Sequence, residues 1–165
     1  MTILVYATVA DMVSRFDEEE LVLLTDKVTI PPSTINTAKI EKALGDASAE
    51  INGYIGKVYG LPLSGCRDPE NLGNIVAPPV LVRMACDIAR YFLYDDRAPE
   101  EEVVRRYKAA QADLELIGKG DMLLACPLGE SPGALIAVDP LNPGGETFSS
   151  FSPRKVTDKL AGDYR

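Results

Sequence analysis

Between residues 36 and 58, Ile40, Leu44, Ala47, Ile51, Tyr54, Ile55 and Val58 fall within one narrow arc of a helical wheel. A strand would send alternate residues to opposite faces, so this stretch is predicted to be a helix. At about 1.5 Å per residue it spans roughly 33 Å, enough to act as the spine of a small domain. Gly45, Gly53 and Gly56 each weaken that helix by about 1 kcal/mol and offer places where another backbone can come close.

The other elements are read around this spine. Thr8 with Asp11, and Asp17 with Glu20, have the spacing of helix N-terminal capping pairs, which predicts short helices over 8–16 and 17–25. Pro31 and Pro32 interrupt helix, and residues 59–78 carry turn formers without a period, a long loop of the kind that often has a function. Pro79 and Pro99 suit the first turns of two more helices, over 79–96 and 99–117. Leu81, Val82, Met84, Ala85, Cys86, Ile88, Ala89, Phe92 and Leu93 cover more than half of the first wheel, as in a central helix. Val103, Tyr107, Ala110, Leu114 and Ile117 form a single stripe on the second, as in an outer one. Beyond Gly118, prolines and glycines recur through residue 145, and only "DMLLA" and "ALIAV" read as short strands. The predicted fold is all-α: a small bundle of about four to five helices with an extended C-terminal arm. The body covers 1–120, and a Pro/Gly-rich linker with the arm covers 121–165.

Composition then limits the chemistry. The chain of 165 residues has a formal charge of −8, which argues against coating nucleic acid or an anionic membrane and favours protein partners. No apolar run is long enough to cross a bilayer, and the opening "MTILVYATVADM" lacks a secretory pattern, so the protein is expected to stay where it is made. Cys66, Cys86 and Cys126 are an odd, widely spaced set, and no disulfide is expected. With no histidine, Ser-His and Cys-His nucleophile pairs are excluded, and no nucleotide-binding or zinc motif is present. The reading is therefore a non-enzyme with no cofactor and no metal.

"ACDIARYFLYDDRAPEEEVVRRY" is the densest cluster of chemistry-bearing side chains. Arg83, Asp87, Arg90 and Tyr94 lie on one side of the central helix, opposite its apolar face, with Asp87 spaced to pair with Arg83 and Arg90. The plain reading is a solvated face of ion pairs; the sharper one is a subunit or partner interface formed by Arg83, Asp87, Arg90, Tyr91 and Tyr94, because arginine and tyrosine supply both area and hydrogen bonds. The acidic runs 17–20 and 100–102 read as helix N-terminal charge rather than as ligands for a hard cation. Tyr54, Tyr59 and Tyr107 read as packing at the core edge, not as a stacking platform for bases.

The last twenty residues, "ETFSSFSPRKVTDKLAGDYR", hold three acids and four bases, +1 locally against −9 for the rest. Phe148, Phe151, Val156, Leu160 and Tyr164 are apolar anchors between polar residues, with Arg154 and Lys155 among them. A purely solvated tail seldom carries so many, which points to an arm that orders on a partner, as an added strand or an amphipathic turn.

"YATVADMVSRFDEEELVLLTD", "ALGDASAEINGYIGKVYGLPL" and "PPVLVRMACDIARYFLYDDRAPEEEVVRRYKAAQADLELIGKG" together resemble the Mu-type bacteriophage head-completion or head–tail adaptor family, over residues 5–120. The "DASAEINGYI" and "ACDIARYFLYDDR" helices are the distinctive parts, and "FSPRKVTDKLAGDY" resembles the family's closing segment. The proline- and glycine-rich stretch 127–146 departs from its short members. The resemblance implies an all-helical body, a ring of about twelve copies on the portal, and no catalysis. It further implies a tail-side stopper or tail-terminator protein as partner, DNA passing through the channel without specific binding, no membrane, and a place in the virion neck after assembly in the host cytoplasm. Two other classes compete: a small acidic regulatory module for a single protein partner, and a carboxylate-dependent hydrolase.

Overall fold

A computed structural model describes residues 5–95 and 98–136. Five helices build this part: α1 (Val9–Arg15), α2 (Glu18–Thr25), α3 (Thr37–Ile55), α4 (Pro79–Leu93) and α5 (Glu101–Lys119). The described residues are all-α apart from two short strands, β1 (Cys66–Arg67) and β2 (Ile75–Val76), paired antiparallel as Cys66 with Val76 and Arg67 with Ile75. Among the described residues no helix is long and apolar enough to cross a membrane.

Local chemistry starts α1, α3 and α4 where the sequence predicts, whereas α5 begins at Glu101, two residues after the Pro99 expected in its first turn. Thr8 and Asp11 form a reciprocal capping box on α1, and Asn36 caps α3 by accepting from the Lys39 N–H at 3.3 Å. The spine stops at Ile55 rather than Val58, and a turn then leads into the buried Tyr59. Pro79 opens α4, and Gly120, in the left-handed region at φ 81°, closes α5.

The core lies where α3, α4 and α5 meet, with α1 and α2 laid against α3 and α4. Ile40, Leu44 and Ile51 of α3 and Leu81, Met84 and Ile88 of α4 belong to this core, all within 1% of full burial. Each such side chain contributes about 1.5–3 kcal/mol relative to exposure. Of the glycines read as approach points, Gly45 and Gly53 face open space, while close packing against α3 occurs instead at Gly118 of α5. A Cβ at Gly118 would stand 3.2 Å from the Tyr54 carbonyl oxygen.

The segment 121–136, assigned with the arm from sequence, folds back along the loop after α3. Gly60 donates to the Ala134 carbonyl at 2.9 Å, Ile136 to Val58 at 2.7 Å, and Gly65 to Pro132 at 3.0 Å. The Leu124 N–H donates to the buried Tyr59 hydroxyl at 2.8 Å. "DMLLA" forms no strand, and the described part of "ALIAV", residues 134–136, contributes one isolated bridge, Leu135 with Tyr59. The expectation of no disulfide is overturned: Cys66 and Cys126 are bonded across a separation of 60 residues, their Cα atoms 5.3 Å apart. An odd count leaves one thiol over, and that is Cys86, buried in α4 with its pKa pushed up to about 12 by burial.

Alkylation of the unfolded, unreduced protein should therefore add one label, at Cys86, and three after reduction; three labels without reduction would contradict the bond. The double change Cys66→Ser, Cys126→Ser should lower stability by about 2–4 kcal/mol in denaturant titration.

Candidate interaction surface

α4 is buried on most of its circumference, so its polar residues have to find partners on other elements. Asp87 was expected to pair along the helix with Arg83 and Arg90; the structure pairs each across to another helix instead. Arg90 Nε and Nη2 donate to the two oxygens of Glu20 on α2 at 2.9 and 2.7 Å, a two-pronged contact with the Arg90 side chain only 11% exposed. The Tyr94 hydroxyl donates to the same carboxylate at 2.7 Å. Its pKa is raised to about 12, first by burial and then by that hydrogen bond. The Arg90 guanidinium also lies 4.7 Å from the ring centre of Phe16, between α1 and α2. Glu20 thus completes no capping box: Asp17 alone caps α2, accepting from the Glu19 N–H at 3.3 Å, and Glu20 is spent on α4.

The same helix is tied to α5. Arg83 Nη2 lies 3.0 Å from Asp113 Oδ2, and Arg106 Nη1 lies 3.8 Å from Asp87 Oδ1. Tyr91 stacks on Tyr107 with ring centres 4.1 Å apart and planes within 3°. Gln111 donates to Tyr107 and to Glu50, which brings α3 into the same network. Glu102, in the second acidic run, is held by Arg106 and Arg105 at 2.8 and 2.7 Å. These pairings correct the expectation of a solvated face opposite the core: Asp87 is 7% exposed, and Arg90, Tyr91 and Tyr94 are half-buried. Only Arg83 of the five is well exposed; it borders a small cleft of about 240 Å³ together with Arg15, Phe16, Asp87 and Arg106.

The exposed apolar surface includes residues that the sequence reading passed over. Val28 and Ile30 are 90% and 94% exposed, on the turn between α2 and α3. That turn is tied down by Asp26, whose Oδ1 accepts from the Val28 and Thr29 N–H groups at 3.1 and 3.0 Å and whose Oδ2 accepts from Ser33 at 3.1 Å. The backbone hydrogen bonds hold the Asp26 carboxyl well below the usual range. Thr25 adds a further tie, accepting from the Asn36 N–H at 3.0 Å. "KVTIPP" held the signal, two β-branched aliphatics directly before a proline pair, but a loop assignment alone says nothing about exposure. The predicted arm contacts, Phe148, Phe151, Arg154, Lys155, Val156, Leu160 and Tyr164, lie outside the described residues.

Burial raises the Asp87 pKa despite the attraction of Arg106. The native state then holds this proton more tightly than the unfolded chain, whose aspartates titrate near about 3.9. Stability accordingly falls as pH rises through the window between the unfolded and the native value. Asp87→Asn should raise the denaturation midpoint at neutral pH and lose that advantage near about pH 3; a gap that is constant across pH would contradict this.

The resemblance to a Mu-type phage family is borne out by comparison with known proteins. The profile of the family described as "Bacteriophage Mu, Gp36" matches residues 6–134. "Gene product J" of Escherichia phage Mu is 32% identical over 115 residues, covering 70% of this chain and 72% of that protein. The Mu-like prophage FluMu protein gp36 of Haemophilus influenzae is 34% identical over 97 residues, 58% of this chain and 59% of its own length. The braced five-helix body and these matches occupy the same stretch of sequence, and the chain belongs to the bacteriophage Mu Gp36 family.

Proposed function

We propose that this chain is a structural, non-enzymatic connector of the virion neck: copies assemble side by side into a ring below the portal and join the head to the tail. The observation that supports this reading best is the coincidence of the family match, residues 6–134, with a body whose buried charges are already paired within one chain. Such a body presents a fixed shape to its neighbours, and a closed ring needs two different patches on each subunit. The Val28 and Ile30 turn is well placed as one of them, since its backbone is held by Asp26 while its apolar side chains meet solvent.

The exposed Arg83 belongs to a subunit or portal contact in this reading, whereas Asp87, Arg90, Tyr91 and Tyr94 act mainly by keeping α4 in register with α2 and α5. The arm, residues 146–165, clips onto a neighbour. The excess of negative charge lets DNA pass without adhering, because like charges limit phosphate contact. A stopper or tail-terminator protein then docks on the tail side.

Electron microscopy of the purified chain mixed with purified portal tests this. The expected result is a ring of added density on the portal that is lost when residues 146–165 are deleted, with the helical circular dichroism unchanged. A full-length chain that leaves the portal bare, or a truncated chain that decorates it equally well, contradicts the ring or the arm respectively.

A further inference from the structure

The disulfide joins two parts of the chain that lie outside the helices. Cys66 sits on β1, paired with Val76, and Cys126 opens a tight turn in which the Gly129 N–H donates to the Cys126 carbonyl at 2.9 Å. Gly129 adopts the left-handed region there, at φ 81°. Both cysteines are buried, at 0% and 5% exposure, yet neither belongs to the hydrophobic core cluster built around α3, α4 and α5. The bond fastens one loop to another, not one helix to another.

What else holds residues 121–136 is weak. Of these only Leu124, Cys126 and Pro132 are buried, while Leu123, Leu128, Leu135 and Ile136 are 45–58% exposed. The remaining ties are single hydrogen bonds to the loop after α3, among them Ser64 Oγ to the Pro132 carbonyl at 2.9 Å and the Arg67 N–H to Glu130 Oε1 at 2.7 Å. The Arg67–Glu130 ion pair, at 3.4 Å with the arginine side chain 62% exposed, adds little in water. A segment with few buried apolar side chains opens locally far more readily than a core helix. A covalent bond across a separation of 60 residues forbids that segment to leave its loop.

We propose that Cys66 and Cys126 form a redox latch: as a disulfide they hold residues 121–136, the stretch that leads to the C-terminal arm, on the loop after α3, and as two thiols they let it lift while the five helices stay folded. The oxidant is a small-molecule disulfide of the glutathione type. Cys126, on the part that lifts, attacks one of its sulfurs as a thiolate, forming a mixed disulfide and expelling one small thiolate. The Cys66 thiolate then attacks the Cys126 sulfur, and the second small thiolate leaves. Two electrons pass from the protein pair to the oxidant, and the two released thiols take up the two protons. Two molecules of the reduced small thiol reverse these steps. Cys86 takes no part, because its thiol is buried in α4 and stays protonated. Under the connector reading proposed above, the latch is open in the reducing cytosol where the chain is made and closed in a particle outside the cell, so the arm finds a neighbour before its base is fastened. That timing rests on the connector reading; the latch itself does not.

The test holds the purified full-length chain in an excess of reduced glutathione or in oxidised glutathione, then quenches it in acid, unfolds it and alkylates it. Three labels are expected from the first buffer and one, at Cys86, from the second. In native-state hydrogen exchange the amides of residues 123–136 should exchange about tenfold or more faster in the reduced chain. The helical circular dichroism should be unchanged, with α3 and α4 still the slowest to exchange. Return to oxidised glutathione should restore the protection, and the Cys66→Ser, Cys126→Ser double variant should stay in the fast-exchanging form in both buffers. The proposal is overturned by a bond that survives reduced glutathione, by equal exchange of residues 123–136 in the two states, or by loss of helical content on reduction, which would make the bond a staple of the whole body. Portal decoration is read on separate samples: bare portals with a working latch remove the ring and the timing, whereas decorated portals with a fixed bond remove only the latch.

Discussion

A helix buried on most sides cannot leave every charged side chain in water, and α4 carries Asp87 at 7% exposure and an Arg90 side chain at 11%. Burying a carboxylate or guanidinium unpaired costs several kcal/mol, so the positions of Asp87 and Arg90 dictate what must lie opposite them. Glu20 on α2 and Arg106 on α5 are those counterparts, and the exposed Arg83 adds a surface pair with Asp113 of α5. The apolar surfaces of Leu81, Met84 and Ile88 drive collapse onto α3, but they are tolerant of small rotations. The forked Arg90–Glu20 contact and the Tyr91–Tyr107 stack are less tolerant, since both depend on orientation. Together they fix how α1–α2 and α5 sit around the central helix.

The consequences reach the surface. Because Glu20 is drawn to α4, the end of α2 and the turn after it are held against α3, where Asp26 and Thr25 tie the backbone. That turn carries Val28 and Ile30 outward, and Lys27 just before them lines an open groove together with residues of α3 and the end of α4. A second tie, the Cys66–Cys126 bond with the hydrogen bonds from Gly60 and Gly65, fastens residues 121–136 to the loop after α3. The body of this Mu Gp36 family member therefore extends past α5.

Much of the helical architecture is legible in the sequence, because amphipathic period and capping chemistry are local. The Thr8–Asp11 box, the α3 stripe and the Pro79 start all depend on residues within a turn or two of each other. The pairings are not legible. Asp87 has two arginines at helical spacing, yet Arg90 takes a partner 70 residues away and Arg83 one 30 residues away. A buried helix gains more from a cross-helix partner that also needs burial than from a neighbour on its own surface. The disulfide is hidden for a similar reason: cysteine count and spacing carry no information about which loops are brought together, and only the fold places Cys66 beside Cys126.

If these cross-helix ties make α1 through α5 one rigid unit, the amides of α1 and α2 should open only when α4 opens. Native-state hydrogen exchange on the wild type and on Arg90→Ala measures this directly. Protection in α1–α2 is expected to approach that of α4 in the wild type and to fall by tens-fold in the variant while α3 and α4 keep theirs. Fast exchange of α1–α2 in the wild type, unaltered by loss of the Arg90 fork, would show that the helices are merely adjacent and that the body is not the fixed shape on which the account rests.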